Sequence, residues 1–404
     1  MSFIDVLLIA CEFLRSIARF ITKGKEIFMI MIPLHRPIYQ KKEQEYIKSA
    51  MELKTGQTSF CALCENWLAE YMKIPGMMTT SCSTALDLAA ALLHAKPGDE
   101  VIMPSFTFSS TANAFVRQGL VPVFVDVRKD TMNLDEKKIE AAITERTVAI
   151  VPVHYSGVSC EMETIQQIAE QYHLSVIEDA AQGLGAYYKG KPLGSFGDFS
   201  GISFHETKNF SMGEGGALFV KDSQRFLEAE IMADCGTDRK KVRRKEALEY
   251  TWIEKGASCV PSDISCMFLY PQLHMAEEIT NNRLLTWNFY YKELMDLAKQ
   301  GKIVLPLVPE ECDHNGHIFA VRLGDKEERN AMMHYLNEKG IMAAFHYIPL
   351  HSAKAGRVYG RFHGDDEVTT LESERLLRLP LYYGMKAEER ELVVEAIRAW
   401  CIKK

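Results

Sequence analysis

Val148-Ala149-Ile150-Val151-Pro152-Val153, the polar turn His154-Tyr155-Ser156-Gly157, an amphipathic run from Glu161 to Tyr172, and Ser175-Val176-Ile177-Glu178-Asp179 read in order as strand, turn, helix and strand. Both apolar runs are short and rich in β-branched residues, and neither alternates with polar residues. Each is therefore expected to be covered on both faces. Two such strands joined through a helix of about ten to fifteen residues pair in parallel, because a parallel connection needs a crossover.

The same alternation extends outward. A helix over Thr84 to His94 and the turn Pro97-Gly98-Asp99-Glu100 lead into the strand Val101-Ile102-Met103. The strand Val121 to Val127 and the helix Asp135 to Thr144 follow. This predicts an α/β fold built on a large, mostly parallel sheet. Past Leu273 a long helical stretch, Met275 to Gln300, precedes a mixed α/β tail with turns expected at Gly324, Gly340, Pro349 and Pro380. The expected division is a large ligand-binding domain over residues 31–273 and a smaller C-terminal α/β domain, with its connecting helix, over residues 274–404.

In open parallel sheets ligands collect at the carboxyl ends of the strands. Here those ends carry Glu178-Asp179-Ala180-Ala181-Gln182-Gly183, His154-Tyr155-Ser156-Gly157 and Pro104-Ser105-Phe106-Thr107-Phe108. Polar and aromatic groups converge on one edge.

Bulk properties narrow the partners. The chain has 404 residues, is 47% hydrophobic and carries a formal net charge of -7, so it can bury a large core but has no cationic excess for a nucleic-acid backbone. Its ten cysteines are scattered, which fits a reducing cytoplasm better than a disulfide scaffold. Cys61-Ala62-Leu63-Cys64 has no second pair that would complete a zinc site, and no metal is expected. Residues 1–30 form a separate extension. Ile4 to Lys23 has the spacing of an amphipathic helix, interrupted by Asp5, Glu12, Arg15 and Arg19 too often for a membrane span. A surface-lying anchor competes there with a packing helix, or with a translated stretch ahead of a start near Met29 or Met31.

The segment Gly201-Ile202-Ser203-Phe204-His205-Glu206-Thr207-Lys208-Asn209, followed by Gly213-Glu214-Gly215-Gly216, carries the most chemistry. A lysine between an apolar strand and a glycine-rich loop can face a pocket, and partial desolvation would lower its pKa enough for it to attack an aldehyde. Pyridoxal phosphate (PLP) is such an aldehyde. It also needs a carboxylate on its ring nitrogen, for which Asp179 is placed, and a phosphate seat, which the helix start Ser81-Cys82-Ser83-Thr84 and Ser203 offer. Phe108 offers a face for the ring. Taken singly, each has an ordinary alternative: an exposed loop lysine, a helix cap at Asp179, simple capping at Ser83 and Thr84, a core phenylalanine.

Taken together, these segments resemble the DegT/DnrJ/StrS sugar aminotransferase family, of the aspartate aminotransferase-like PLP fold type I. The likeness extends from Met31 to Lys404 and includes Ala112-Asn113-Ala114-Phe115, Phe124-Val125-Asp126-Val127-Arg128, Phe345-His346-Tyr347-Ile348-Pro349-Leu350-His351 and Glu372 to Leu381. The resemblance implies that Lys208 carries the cofactor and moves the proton, that Asp179 pairs with the ring nitrogen and that Gln182 lies beside the ring oxygen. It further implies that Ser83, Thr84 and Ser203 hold the phosphate, that Phe108 stacks on the ring, and that His346 and Tyr347 are tentative sugar contacts. Glutamate and a dTDP-linked keto-sugar are the implied small-molecule substrates, aminated at carbon 4, in a homodimer or larger homo-oligomer that neither binds nucleic acid nor inserts stably in a membrane.

Two departures stand out. Relatives carry Gly-x-Asn-x-Arg where this chain has Gly256-Ala257-Ser258-Cys259-Val260, so Ser258 stands at the position that reaches a partner's phosphate, and Ser265 replaces a usual glutamine. Sugar dehydratases of the family place histidine at the cofactor lysine, so Lys208 argues for amino transfer. Lys208, Asp179 and Gln182 together argue against a PLP-binding regulator without turnover.

Overall fold

The computed structural model describes the backbone of Ile21–Thr22 and Lys25–Glu26, and residues 31–38, 45, 48 and 59–403. The helix expected over Ile4 to Lys23 lies almost wholly outside the described residues. Its last described pair, Ile21–Thr22, is extended and pairs antiparallel with Lys25–Glu26.

Eight strands form the main sheet: β1 (Gly76–Thr79), β2 (Glu100–Pro104), β3 (Val121–Val125), β4 (Thr147–Ile150), β5 (Ser175–Asp179), β6 (Phe199–Ser203), β7 (Gly216–Val220) and, returning from the C-terminal part, Arg361–Phe362. Their order across the sheet is Arg361–Phe362, β3, β2, β4, β5, β6, β7, β1. Every pairing is parallel except those of β7, which runs against β6 and β1. The sheet is thus mostly parallel, as the alternation of short apolar runs with helices requires.

Burial follows the period-two rule on both faces. Val101 and Met103 of β2 pack with Leu86, Phe115 and Phe124 on one side, while Ile102 packs with Val123, Val125 and Ile150 on the other. Helices α1 (Phe60–Met72), α2 (Cys82–Ala91), α3 (Ser109–Val116) and α4 (Met162–Tyr172) cover these faces. Several boundaries differ from expectation for local reasons. β3 stops at Val125 because both oxygens of Asp126 accept bonds from residues 367–369. β4 stops at Ile150 ahead of Pro152, which has no amide hydrogen for the ladder. The helix expected over Asp135 to Thr144 divides into a 3-10 turn, Glu136–Lys138, and a single turn at Ile139–Ala142.

Helices α5 (Asp263–His274) and α6 (Ala276–Lys299) lead to the C-terminal part, where β8 (Phe319–Arg322) pairs antiparallel with Leu376–Leu379. A second core forms there around Tyr290, Phe319, Leu336 and Ile397. Ile32 joins this core and bridges Ile341, so the start of the described chain packs against the C-terminal part. No helix among the described residues is long and apolar enough to cross a membrane.

Candidate active site

The carboxyl ends of β5 and β6 carry Asp179, paired opposite Gly201, and Ser203 two residues further on, and the chain leaving β6 turns directly into the lysine segment. The turn is closed by the Lys208 amide donating to the His205 carbonyl at 2.9 Å. His205 anchors it further, its Nδ1 2.9 Å from the Thr207 hydroxyl and its Nε2 3.3 Å from Glu214. Lys208 opens into a cavity of about 600 Å³. Burial pushes the pKa of its amine down; Cys82 and Asp179 oppose that shift, and Arg378 adds to it.

Asp179 is 5% exposed and doubly held. Its Oδ2 accepts from the Thr111 hydroxyl at 2.6 Å and its Oδ1 from the Ala181 amide at 3.1 Å. The Thr111 hydroxyl is in turn 2.7 Å from that of Thr107, in the turn that leads into α3. The carboxylate is therefore fixed in orientation at the cavity wall. Behind it, Glu178 is fully buried and accepts from the Gly194, Phe196 and Gly197 amides at 2.9, 2.7 and 2.7 Å, and its Oε2 lies 2.8 Å from His154 Nε2. That network locks the loop following β5 against the end of β4.

At the opposite wall α2 presents its N-terminus. The Ser81 side chain caps it by accepting from the Thr84 amide at 3.1 Å. Ser81, Cys82 and Ser83 line the cavity, whereas the Thr84 hydroxyl turns back to those of Thr80 and Ser81, each at 3.0 Å. Gly216 of β7 makes this close approach possible, because a Cβ there would lie 2.3 Å from the Cys82 amide nitrogen.

A third wall comes from the C-terminal part. Gln182 Oε1 accepts from the Ser156 amide at 2.6 Å, and its Nε2 donates to the Tyr347 hydroxyl at 3.5 Å. Asn315 ties this wall to the lysine segment: its Nδ2 donates to the Gln182 carbonyl at 2.8 Å, and its own carbonyl accepts from Asn209 Nδ2 at 3.0 Å. Gly157, at φ +75°, faces Asn315 so closely that a Cβ would meet its Oδ1 at 2.1 Å. His346 stacks on Tyr347 with ring centroids 4.0 Å apart and accepts from Arg378. Burial, together with the positive charge of Arg378, holds the His346 pKa down at about 2, so its imidazole is neutral.

Of the residues singled out from sequence, the cavity brings together Ser83, Phe108, Asp179, Gln182, Ser203, Lys208, His346 and Tyr347. Phe108 is 61% exposed, with a ring face open. Thr84 stands behind the wall. Ser258 is exposed and outside the cavity, bridging Asp234, so within one chain it contacts nothing there. His351, in the same segment as His346 and Tyr347, lies outside the cavity, at 2.7 Å from Ser105 and 3.1 Å from Asp366. Sequence reasoning did not single out Thr111, Asn315, His317 or Arg378. Their partners lie far off in sequence, and only Arg378, a charge inside the apolar run Leu376 to Leu379, leaves a local signal.

The residues fit PLP on their own terms: a fixed carboxylate, a buried amine of lowered pKa across from it, and a capped helix start with hydroxyl groups. Fold and site together define a PLP-dependent enzyme of fold type I. The chain belongs to the DegT/DnrJ/EryC1/StrS aminotransferase family, whose profile matches residues 37–398. It is similar to an uncharacterised protein of Methanocaldococcus jannaschii, 36% identical over 325 residues, covering 79% of this chain and 83% of that one. The spore coat polysaccharide biosynthesis protein SpsC of Bacillus subtilis is 30% identical over 379 residues, 91% of this chain and 96% of its own. Among solved structures, Spr1654 of Streptococcus pneumoniae, described as a sugar aminotransferase and solved in a PLP form, superposes with a TM-score of 0.83 at 25% identity, covering 92% of this chain and 99% of its own. The protein is a sugar aminotransferase that uses PLP.

Proposed function

We propose that the protein transfers an amino group from glutamate to carbon 4 of dTDP-4-keto-6-deoxyglucose. It would thereby act as a dTDP-4-amino-4,6-dideoxygalactose transaminase supplying surface polysaccharide of the enterobacterial common antigen type. The observation that carries the reading is Lys208 of lowered pKa opening into a cavity whose wall holds the fixed Asp179 carboxylate. The segments Phe345 to His351 and Glu372 to Leu381 support the choice of sugar by their likeness to such enzymes, and the likeness to a polysaccharide biosynthesis protein agrees with the class of product.

PLP, when bound, supplies the electron sink that lets a C–H bond beside nitrogen ionise. In this reading the chain does the rest. Asp179 receives the ring N–H, oriented by Thr111 and Ala181. The Ser81-Cys82-Ser83 helix start and Ser203 hold the phosphate, and Phe108 covers one face of the ring. Gln182, placed by Ser156 and Asn315, donates toward the ring oxygen. With PLP bound, Lys208 Nζ would take the proton from the donor carbon and deliver it, on the same side of the cavity, to the cofactor carbon that receives the nitrogen; burial, which lowers its pKa, favours the neutral amine that this role needs. His346 and Tyr347 line the space left for the sugar, and Ser258 of a second copy would approach from outside in a homodimer. Residues 31–273 would then form the cofactor domain and residues 274–404 the closing one.

The test is to incubate the purified protein with PLP, glutamate and a panel of nucleotide-linked keto-sugars and to identify products by NMR. The expected product carries an axial amino group at carbon 4 of the dTDP-linked sugar. Product from another keto-sugar alone would replace the substrate, and no amino-sugar from any would overturn the reading.

A further inference from the structure

We propose that Arg378 is the docking point for a carboxylate of the amino donor, an inference that rests on the amino-acid half of the reading above. Arg378 lies on the strand Leu376–Leu379, whose leucines are all buried. Its backbone is held from both sides, opposite Ala320 in the two-stranded sheet and against Ala344, to whose carbonyl it donates at 2.7 Å. Its position is thus fixed, and its guanidinium lines the same cavity as Lys208, Gln182 and Tyr347.

The guanidinium has no negative partner. One terminal nitrogen donates to the neutral His346 imidazole, and Nε is sealed from solvent without an acceptor. Among the described residues no carboxylate forms an ion pair with it. Its neighbours are treated differently. Arg322 and Arg375 share Glu372 at 3.0 and 3.3 Å, and Arg283 donates to the carbonyls of Gly316, His317 and Leu381. A half-buried cation with a sealed Nε and no anion is costly to maintain, and an incoming anion would recover part of that cost.

The geometry says which anion. A guanidinium fork matches a carboxylate in a two-point contact. In the reading above the cofactor phosphate would sit at the start of α2, which lines the cavity beside Gly216 of β7. Arg378 instead reaches the cavity beside His346, Tyr155 and Tyr347, and Tyr347 touches Gln182. An amino acid whose nitrogen approaches Lys208 would bring a carboxylate within reach of that corner.

The experiment uses the full-length PLP-loaded protein, Arg378→Gln and Arg378→Lys. Calorimetry would measure binding of glutarate, a dicarboxylate that cannot react, and separately of dTDP. Glutarate binding is expected to weaken about 10- to 150-fold in Arg378→Gln, with partial recovery in Arg378→Lys and dTDP binding unchanged. The glutamate concentration that half-saturates loss of the PLP absorbance should rise in parallel. Should Arg378→Gln fail to fold, Arg378→Lys alone must still weaken glutarate, since an ammonium cannot make the forked contact. Unchanged glutarate affinity, or weakening of dTDP instead, overturns the assignment and turns Arg378 toward the sugar nucleotide. A failed amino-sugar assay with normal glutarate binding would remove the proposed acceptor and leave Arg378 standing.

Discussion

At the level of single residues, the site rests on groups whose ordinary behaviour is altered by where the backbone puts them. Lys208 has its pKa lowered by burial, so between that lowered value and about 10.4, the value in the unfolded chain, the unfolded state binds the extra proton. Stability of the cofactor-free protein from this residue must therefore rise with pH across that interval and stay flat on either side. Urea midpoints measured across that range should show the slope in the natural protein and its loss in Lys208→Met. Lys208→Ala should also abolish the long-wavelength absorbance of bound PLP and slow amino transfer by about 10²- to 10⁴-fold or more. A surviving absorbance band would mean another residue carries the cofactor. Strand ends pointed to Asp179 and Ser203 in the sequence, whereas Lys208, five residues past the end of β6, was singled out only together with them, and the cavity brings all three together. Thr111 could not, because its bond to Asp179 joins positions 68 apart.

At the level of elements, the helix start that we propose as the phosphate seat is a joint property of α2 and β7. Gly216→Ala would place a methyl group 2.3 Å from the Cys82 amide nitrogen, and relief requires β7 or the helix start to move. The expected outcome is weaker PLP retention on dialysis together with about 1–3 kcal/mol lower stability in a urea titration. Ser81→Ala removes the cap and should cost about 0.5–2 kcal/mol without the steric displacement, so its loss of PLP should be the smaller of the two. Sequence located α2 to within two residues of its start, since hydroxyl residues ahead of an apolar run mark a cap. It expected Ser83 and Thr84 alike at the phosphate; Ser83 lines the cavity, while the Thr84 hydroxyl lies 3.0 Å from those of Thr80 and Ser81, a difference between adjacent positions that helix phase sets. The 3-10 turn at Glu136–Lys138 was likewise invisible, because helical spacing over so few residues does not distinguish the two geometries.

Across the whole molecule, the chain crosses between its two cores more than a linear division suggests. Arg361–Phe362 adds a strand to the edge of the large sheet, and Ile32 bridges Ile341 in the C-terminal core. Such long-range returns follow no local pattern, which is why the parallel sheet was legible in sequence and its outermost strand was not. Deleting residues 1–30 should leave PLP binding and amino transfer intact, while carrying the deletion through Leu34 removes Ile32, 1% exposed, and should lower the thermal midpoint measurably. Equal behaviour of the two truncations would show that the Ile32 contact contributes little. The central claim is that one cavity, with Lys208 and Asp179 on its walls, moves nitrogen from an amino acid to a keto-sugar. Its most direct test follows ¹⁵N from labelled glutamate into the dTDP-sugar by NMR, in the natural protein and in Lys208→Ala. Label at carbon 4 that disappears in the variant is the predicted result; label persisting in Lys208→Ala, or absent from the sugar in the natural protein, would contradict it.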